Sequence, residues 1–416
     1  CEGPRTHDHL LHRVAAGDLT DVFLFSHGWN NDWTVATRRY DHFLEGYLGM
    51  RERLGLPVPA GFRAILAGVF WPSTALTFGQ DEEGPAIAAG DPLGEHDARA
   101  ARQLAEALPA DSVAEFYHLA QAPALDESQA RRFAELLREL PATGAGEDAT
   151  QAPTADDLVA VWRAAAAESN TDTRPPDLED FGAGDATGPP ATGGPQVAGL
   201  GSFLKKLDPR HVIRMMTVWQ MKDRAGTVGA NGVHELLTGL LGASSARVHL
   251  LGHSYGAKVV LSAAAARTLP RRVRSILLLQ PAVSHLCFAA TVPETSPPRP
   301  GGYRGVLDRV EQPVLSTFSA NDSALTKTFH LALRRADDLG EARIAAPGEP
   351  PSRYAALGGF GPRGAGERLV DIEDPGRRYD LSGPARVVGL RGTRTIAGHG
   401  DISNESTWWA LYCLVA

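Results

Sequence analysis

Gly252-His253-Ser254-Tyr255-Gly256 places a serine between two glycines, directly after the apolar run Arg247-Val-His-Leu-Leu251. The run predicts a buried strand, and the small residues of 256–268 predict a helix. A serine on such a strand-to-helix turn is pushed out of the sheet, its hydroxyl exposed and its backbone strained. Glycines flank it because side chains there would meet the neighbouring strand and helix. A serine hydroxyl is a poor nucleophile until a base takes its proton and a carboxylate orients that base. Two later loops offer such groups. Asn321-Asp322-Ser323 follows the apolar run 313–319, and Gly398-His399-Gly400-Asp401 follows the run 386–391. Of 14 histidines, His399 stands out through a glycine-flanked loop with few packing duties. Asp322 competes with Asp380 and Asp371, which lie off a clear strand end, and Asn-Asp-Ser also starts turns unaided. Asp401, two residues from His399, suits a capping role.

These groups need a frame. Residues 21–26, Asp-Val-Phe-Leu-Phe-Ser, predict a central parallel strand buried on both faces and ending in His27-Gly28-Trp29. Asp32 predicts a cap for a helix carrying Trp33, Tyr40, Leu44 and Tyr47. Residues 63–71 predict a second buried strand, stopped by Pro72. A long helix is expected over 209–241, further strands over 273–280, 313–319 and 386–391, and a last helix over 404–415. Strands alternating with helices define an α/β class, with a mostly parallel central sheet flanked by helices. Residues 75–208 differ in character. Helical periodicity over 95–140 and 157–168 is followed by a Pro/Gly-rich stretch near 169–200, which is expected to be flexible. The expected organisation is a core in two parts, 1–74 and 209–416, split by a helical insertion at 75–208. Gly226 to Gly232 lacks both the spacing and the Gly-Lys-Ser/Thr of a phosphate loop.

The chain has 416 residues, 43% of them hydrophobic, which suffices for a large core. A net charge of −8 argues against general nucleic-acid binding. Cys1, Cys287 and Cys413 have no metal-ligand spacing; the last two sit in apolar surroundings and read as buried free thiols. His249 and His253 alternate along one strand, but no third ligand is placed near them, so no metal is expected. No run approaches the ~18 uncharged apolar residues of a membrane span. The chain carries no recognisable signal peptide and a cytoplasmic setting is favoured.

With the serine elbow, the strand–His27-Gly28-Trp29 loop and the strand end Phe70-Trp71-Pro72, the sequence resembles the α/β-hydrolase superfamily. Within it, the chain is similar to bacterial esterase- and lipase-like serine hydrolases over residues 20–75, 210–290 and 312–416. The resemblance implies Ser254 as nucleophile, His399 as general base and Asp322 as orienting acid. It implies an oxyanion hole from the backbone N–H groups of Trp29 and Tyr255. His27, Gly28, Trp29, Trp71 and Tyr255 would border the substrate. The aromatic residues Trp29, Trp33, Phe70, Trp71 and Tyr255 would form an apolar acyl pocket or simply fill core. His253 reads as a packing residue facing away from the serine, and His27 as a brace for its loop. The implied substrate is a small-molecule or lipid ester, with no cofactor, and the insertion would be a lid with an unknown partner. Thioester, amide or peptide, and phospholipid cleavage are alternatives on the same three residues, as is an idle scaffold that binds through the insertion. The superfamily core normally opens with strands ahead of the His-Gly strand. Residues 1–20 either lack them or supply an abbreviated version.

Overall fold

The computed structural model describes residues 6–73, 94–138, 207–293, 297–328 and 355–416, with residue 350 and a few positions within 140–163. The Pro/Gly-rich stretch near 169–200 lies outside the described residues. Of the helix expected over 157–168, positions 158–160 and 162–163 are described and helical.

Helix α1 (Thr6–Ala15) leads into β1 (Asp21–Ser26), α2 (Trp33–Arg53) and β2 (Ala64–Val69). Helices α3 (Gly94–Ala105), α4 (Val113–Ala120) and α5 (Glu127–Arg138) precede the long α6 (Pro209–Val228). A π turn at Gly229–Val233 joins α6 to α7 (His234–Ala243). There follow β3 (Arg247–His253), α8 (Tyr255–Ala265), β4 (Ser275–Leu279) and β5 (Val314–Phe318). The one-turn α9 (Leu357–Phe360), β6 (Arg368–Asp371), β7 (Val387–Arg391) and α10 (Glu405–Val415) complete the order.

Among the described residues, seven strands form one sheet in the order β2-β1-β3-β4-β5-β7-β6, with every neighbouring pair parallel. The cause is visible in the strands. β1, β4 and β5 are buried at every residue, and β3 at all but its first. Strands buried on both faces require helices on both sides. Alternate residues of β1 supply two cores. Phe23 and Phe25 pack with Phe43 of α2 and Trp409 of α10, whereas Val22 and Leu24 pack with Val218 of α6 and Val260 of α8.

Four features differ from the sequence-based expectations. β2 is mostly half-exposed rather than buried, because among the described residues it stands at the edge of the sheet. Residues 6–15 form a helix, not a leading strand. Leu10, Leu11 and Val14 make one apolar stripe, and Leu11 lies against Gly239 of α7. The four-residue β6 went unpredicted, being too short to show a period. The helix expected over 209–241 is broken by the π turn, where Gly229 passes close to α8: an added Cβ would sit 2.3 Å from the Val259 carbonyl oxygen. Helix packing thus explains a glycine in the stretch that resembled a phosphate loop.

Helices α3–α5 stay outside the sheet, as expected of residues 95–140, yet share the α6-side core: Leu104, Phe116 and Phe133 belong to the same cluster as Val218. Arg214 of α6 grips the buried Asp97 of α3 through two bonds of 2.6 and 2.8 Å. Cys287 and Cys413 are both buried, in keeping with their apolar surroundings in the sequence. No helix among the described residues is long and apolar enough to cross a membrane.

Candidate active site

In a parallel sheet all strands deliver their following loops to one edge, where α/β proteins collect functional groups. Here β1 delivers His27-Gly28-Trp29, β3 Ser254, β5 Asp322 and β7 His399. Ser254 sits between β3 and α8 with φ 55° and ψ −125°, a conformation that costs a non-glycine residue on the order of 1–3 kcal/mol. The glycines around it are required by space. An added Cβ on Gly252 would lie 2.6 Å from the Ala257 Cα, and one on Gly256 would lie 2.1 Å from the Ser26 carbonyl oxygen. Both obstacles are backbone and cannot turn aside. Gly256→Ala is therefore expected to cost at least about 3 kcal/mol, read as a lower urea midpoint with an unchanged slope. An unchanged midpoint would refute this close approach.

The three residues singled out from the sequence meet. His399 Nδ1 lies 2.9 Å from Asp322 Oδ2 and donates to it, leaving Nε2 to accept from Ser254 Oγ at 2.8 Å. Asp322 and Ser254 are fully buried and His399 nearly so. The expectation of an exposed hydroxyl is thus corrected. The loop after β1 closes on it, so that even an added Cβ on Gly28 would come within 2.9 Å of the Ser254 Cβ. Asp322 Oδ1 accepts the Leu325 N–H at 3.0 Å, so the carboxylate is both a turn cap and the partner of His399. Asp380 and Asp371 are exposed and paired with Arg368 and Arg391.

The loop around His399 is fixed at several points. Asp401 does not cap α10; Asn404 does, in a reciprocal capping box with Thr407. Asp401 instead accepts the Ala397 N–H at 2.8 Å, tying the loop's two ends. His253 does not face away from the site as expected. Its Nε2 donates to the His399 carbonyl at 2.9 Å, and the two rings lie 5.1 Å apart. Burial and the neighbouring His399 and Arg39 push the His253 pKa well below the usual imidazole value. A neutral donor to a carbonyl is a brace, not a second base.

The β1 loop is braced too. His27 accepts the Trp71 N–H on Nε2 at 3.3 Å and donates from Nδ1 to the Gly28 carbonyl at 2.8 Å. Trp71 returns an indole N–H to the His27 carbonyl at 2.8 Å, and the rings stack 5.6 Å apart. His27 and Trp71 thus spend their polar atoms on the loop. Trp29 is buried beside the Tyr255 ring, whose hydroxyl reaches the Val218 carbonyl. Trp33 and Phe70 instead stack on each other at the surface, 68% and 37% exposed. The aromatic residues grouped in the sequence therefore divide between core and surface. Tyr255 opens α8, so the positive end of that helix lies at Ser254.

Burial lowers the pKa of His27 to about 4 and that of His285 to about 4. Both are neutral when folded. Their contribution is complete above the unfolded value near 6.5 and is lost as pH falls towards 4. Each loss amounts to about 3 kcal/mol at most. Stability measured by urea unfolding should fall steeply between pH 6.5 and 4, with a smaller fall in a His285→Gln variant. A flat profile in this window would contradict the buried neutral histidines.

A second cluster repeats the same residue types. His249 lies 2.7 Å from Ser275 Oγ and 2.9 Å from Asp21 Oδ1, and all three are buried. Asp21 and Ser275 begin β1 and β4, at the opposite sheet edge from Ser254, and Arg247 completes the charge balance of Asp21. Ser275 lies within a strand rather than on an elbow. This cluster pins three strands, and accounts for His249.

Gln280, which sequence reasoning passed over, contacts the site directly, donating to Asp322 Oδ2 at 3.0 Å. Its only signal was an amide ending the run Ile-Leu-Leu-Leu. Comparison of the chain with protein families, curated proteins and solved structures returns no match.

Proposed function

We propose that this protein is a serine hydrolase of the α/β-hydrolase type that cleaves carboxylic esters through an acyl-enzyme on Ser254. The observation that carries the reading is the hydrogen-bonded chain Ser254–His399–Asp322 on a strained elbow at the carboxyl edge of a parallel sheet. As Ser254 Oγ attacks the ester carbonyl, its proton passes to His399 Nε2, and Asp322 steadies the imidazolium. The carbonyl oxygen becomes an oxyanion, received by the N–H groups of Tyr255 and Trp29, each such donor being worth about 3 kcal/mol. Collapse breaks the ester C–O bond while His399 returns the proton to the leaving alcohol. A water molecule then repeats the sequence against the acyl-enzyme, releasing the acid and free Ser254. Neither step needs a cofactor. The lid over this chemistry is assigned to the insertion 75–208, whose helices α3–α5 share a core cluster with Val218 of α6, and the Val218 carbonyl accepts from the Tyr255 hydroxyl. Because Ser254 is fully buried, the surrounding chain must open to admit an ester.

The test is a substrate panel at one pH: p-nitrophenyl esters of increasing acyl length beside matched thioesters, anilides and phospholipids. Turnover should be highest on an ester and vanish in His399→Ala. Preference for thioesters, anilides or phospholipids would move the reading to that class. Failure of the whole panel would leave a binding scaffold.

A further inference from the structure

We infer that Gln280 is a positioning residue of this reaction, holding Asp322 at the angle His399 requires and tying that carboxylate to the backbone of the nucleophile. The inference rests on the hydrolase reading and adds a fourth side chain to it. Gln280 follows β4 and is fully buried, with φ 44°, one of three non-glycine residues in the left-handed region among those described. The other two are Asn30, just after the His27–Trp29 loop, and Ser254 itself. A buried glutamine in this conformation costs stability unless its contacts require it.

Those contacts leave the amide one orientation. The Gln280 backbone N–H donates to Thr317 Oγ at 2.9 Å, and the Thr317 hydroxyl donates in turn to Gln280 Oε1, also at 2.9 Å. With Oε1 committed to Thr317, Nε2 must face Asp322, and it donates to Oδ2 at 3.0 Å. This is the same oxygen that receives His399 Nδ1. Turning the amide over would set Oε1 against the Asp322 carboxylate at 3.0 Å and the Gly358 carbonyl at 3.4 Å, both of which can only accept. Buried mismatches of that kind cost about 1–3 kcal/mol each. The Gln280–Thr317 pair therefore acts as a latch with a single closed position.

The segment bearing the latch also holds the nucleophile. Ser254 N–H donates to the Leu279 carbonyl at 3.1 Å, and the Ala282 N–H donates to the Ser254 carbonyl at 3.2 Å. Residues 279–282 thus grip the Ser254 backbone from both sides while Gln280 grips the acid. Gly358 of α9 closes over the junction, since an added Cβ there would lie 2.5 Å from the Gln280 carbonyl carbon. A displacement of the elbow is carried by this segment to Asp322, keeping the two ends of the proton path in register.

Gln280→Glu, Gln280→Ala and Thr317→Val test this on the full chain, with hydrolysis of the best ester and thermal melting measured together. Gln280→Glu is nearly isosteric and sets a second carboxyl against Asp322. At neutral pH it should lower kcat by about 10²-fold with KM within twofold, because misplaced catalytic groups cost about that much. Its activity relative to wild type should then rise as pH falls, once the new carboxyl is protonated and can donate to Asp322. Gln280→Ala should lower kcat without this pH-dependent recovery, and Thr317→Val should give a smaller loss of the same kind. A pH-independent ratio for Gln280→Glu, or near-normal kcat in Gln280→Ala, would overturn the assignment, as would matching losses in kcat and melting temperature for all three. If wild type hydrolyses esters through Ser254 and the Gln280 variants do too at full rate, the latch fails alone. If Ser254→Ala is as active as wild type, the hydrolase reading itself fails.

Discussion

Ser254→Ala is expected to lower kcat for the best ester by about 10⁶-fold, to the level sustained by binding and the oxyanion pocket alone. The substitution removes one oxygen and leaves the fold a nearly identical problem. Alanine at φ 55° carries the same strain as serine, and the backbone bonds of residue 254 to Leu279 and Ala282 do not involve the side chain. His399 Nε2 loses its hydrogen-bond donor but keeps Asp322 on the other side. The loss should therefore appear in kcat, with KM and thermal unfolding close to wild type. Residual activity within tenfold of wild type would place the nucleophile elsewhere.

Asp322→Asn is expected to lower kcat by about 10⁴-fold in a folded protein. The hydrogen bonds around Asp322 say why an isosteric amide fails. Oδ2 receives two donors, His399 Nδ1 and Gln280 Nε2, and Oδ1 receives the Leu325 N–H. An asparagine has one oxygen for three donors. If its NH₂ faces Leu325, two buried N–H groups oppose each other, at a cost of about 1–3 kcal/mol. If its NH₂ faces His399, Nδ1 must become the acceptor, the proton moves to Nε2, and the imidazole can no longer take the Ser254 proton. The second orientation removes the base and also sets the new NH₂ against Gln280 Nε2, a local cost of about 1–3 kcal/mol that leaves the fold in place. Circular dichroism should match wild type while ester turnover collapses. Turnover within tenfold of wild type would show that His399 does not depend on this carboxylate.

The legible parts of the sequence were those where a local pattern carries the cause. Continuous apolar runs marked β1, β3, β4 and β5, because strands covered on both faces have no polar side to show. Gly252 and Gly256 marked a tight turn because their neighbours are backbone atoms from other elements. Ser254 and Asp322 could be singled out because each follows one of those runs, and His399 because it follows the run that forms β7. What stayed hidden depends on contacts between distant segments. The half-exposure of β2 comes from its edge position, which its composition does not encode. His253 is a buried, hydrogen-bonded packing residue as its sequence setting suggests, but its direction was hidden because its partner, the His399 carbonyl, is 146 residues away. Gln280 looked like the polar end of a strand, and only the fold shows it meeting Thr317 and Asp322. His249, Asp21 and Ser275 carry the right residue types for catalysis, yet their setting inside strands gives them a structural part.

The most direct measurement is to treat the protein with a fluorophosphonate probe, weigh the intact product, and map the modified peptide. One probe per chain is expected, attached to Ser254, with no labelling in Ser254→Ala and slow labelling in His399→Ala. Labelling that persists in Ser254→Ala, or an adduct on another serine such as Ser275, would contradict Ser254 as the nucleophile.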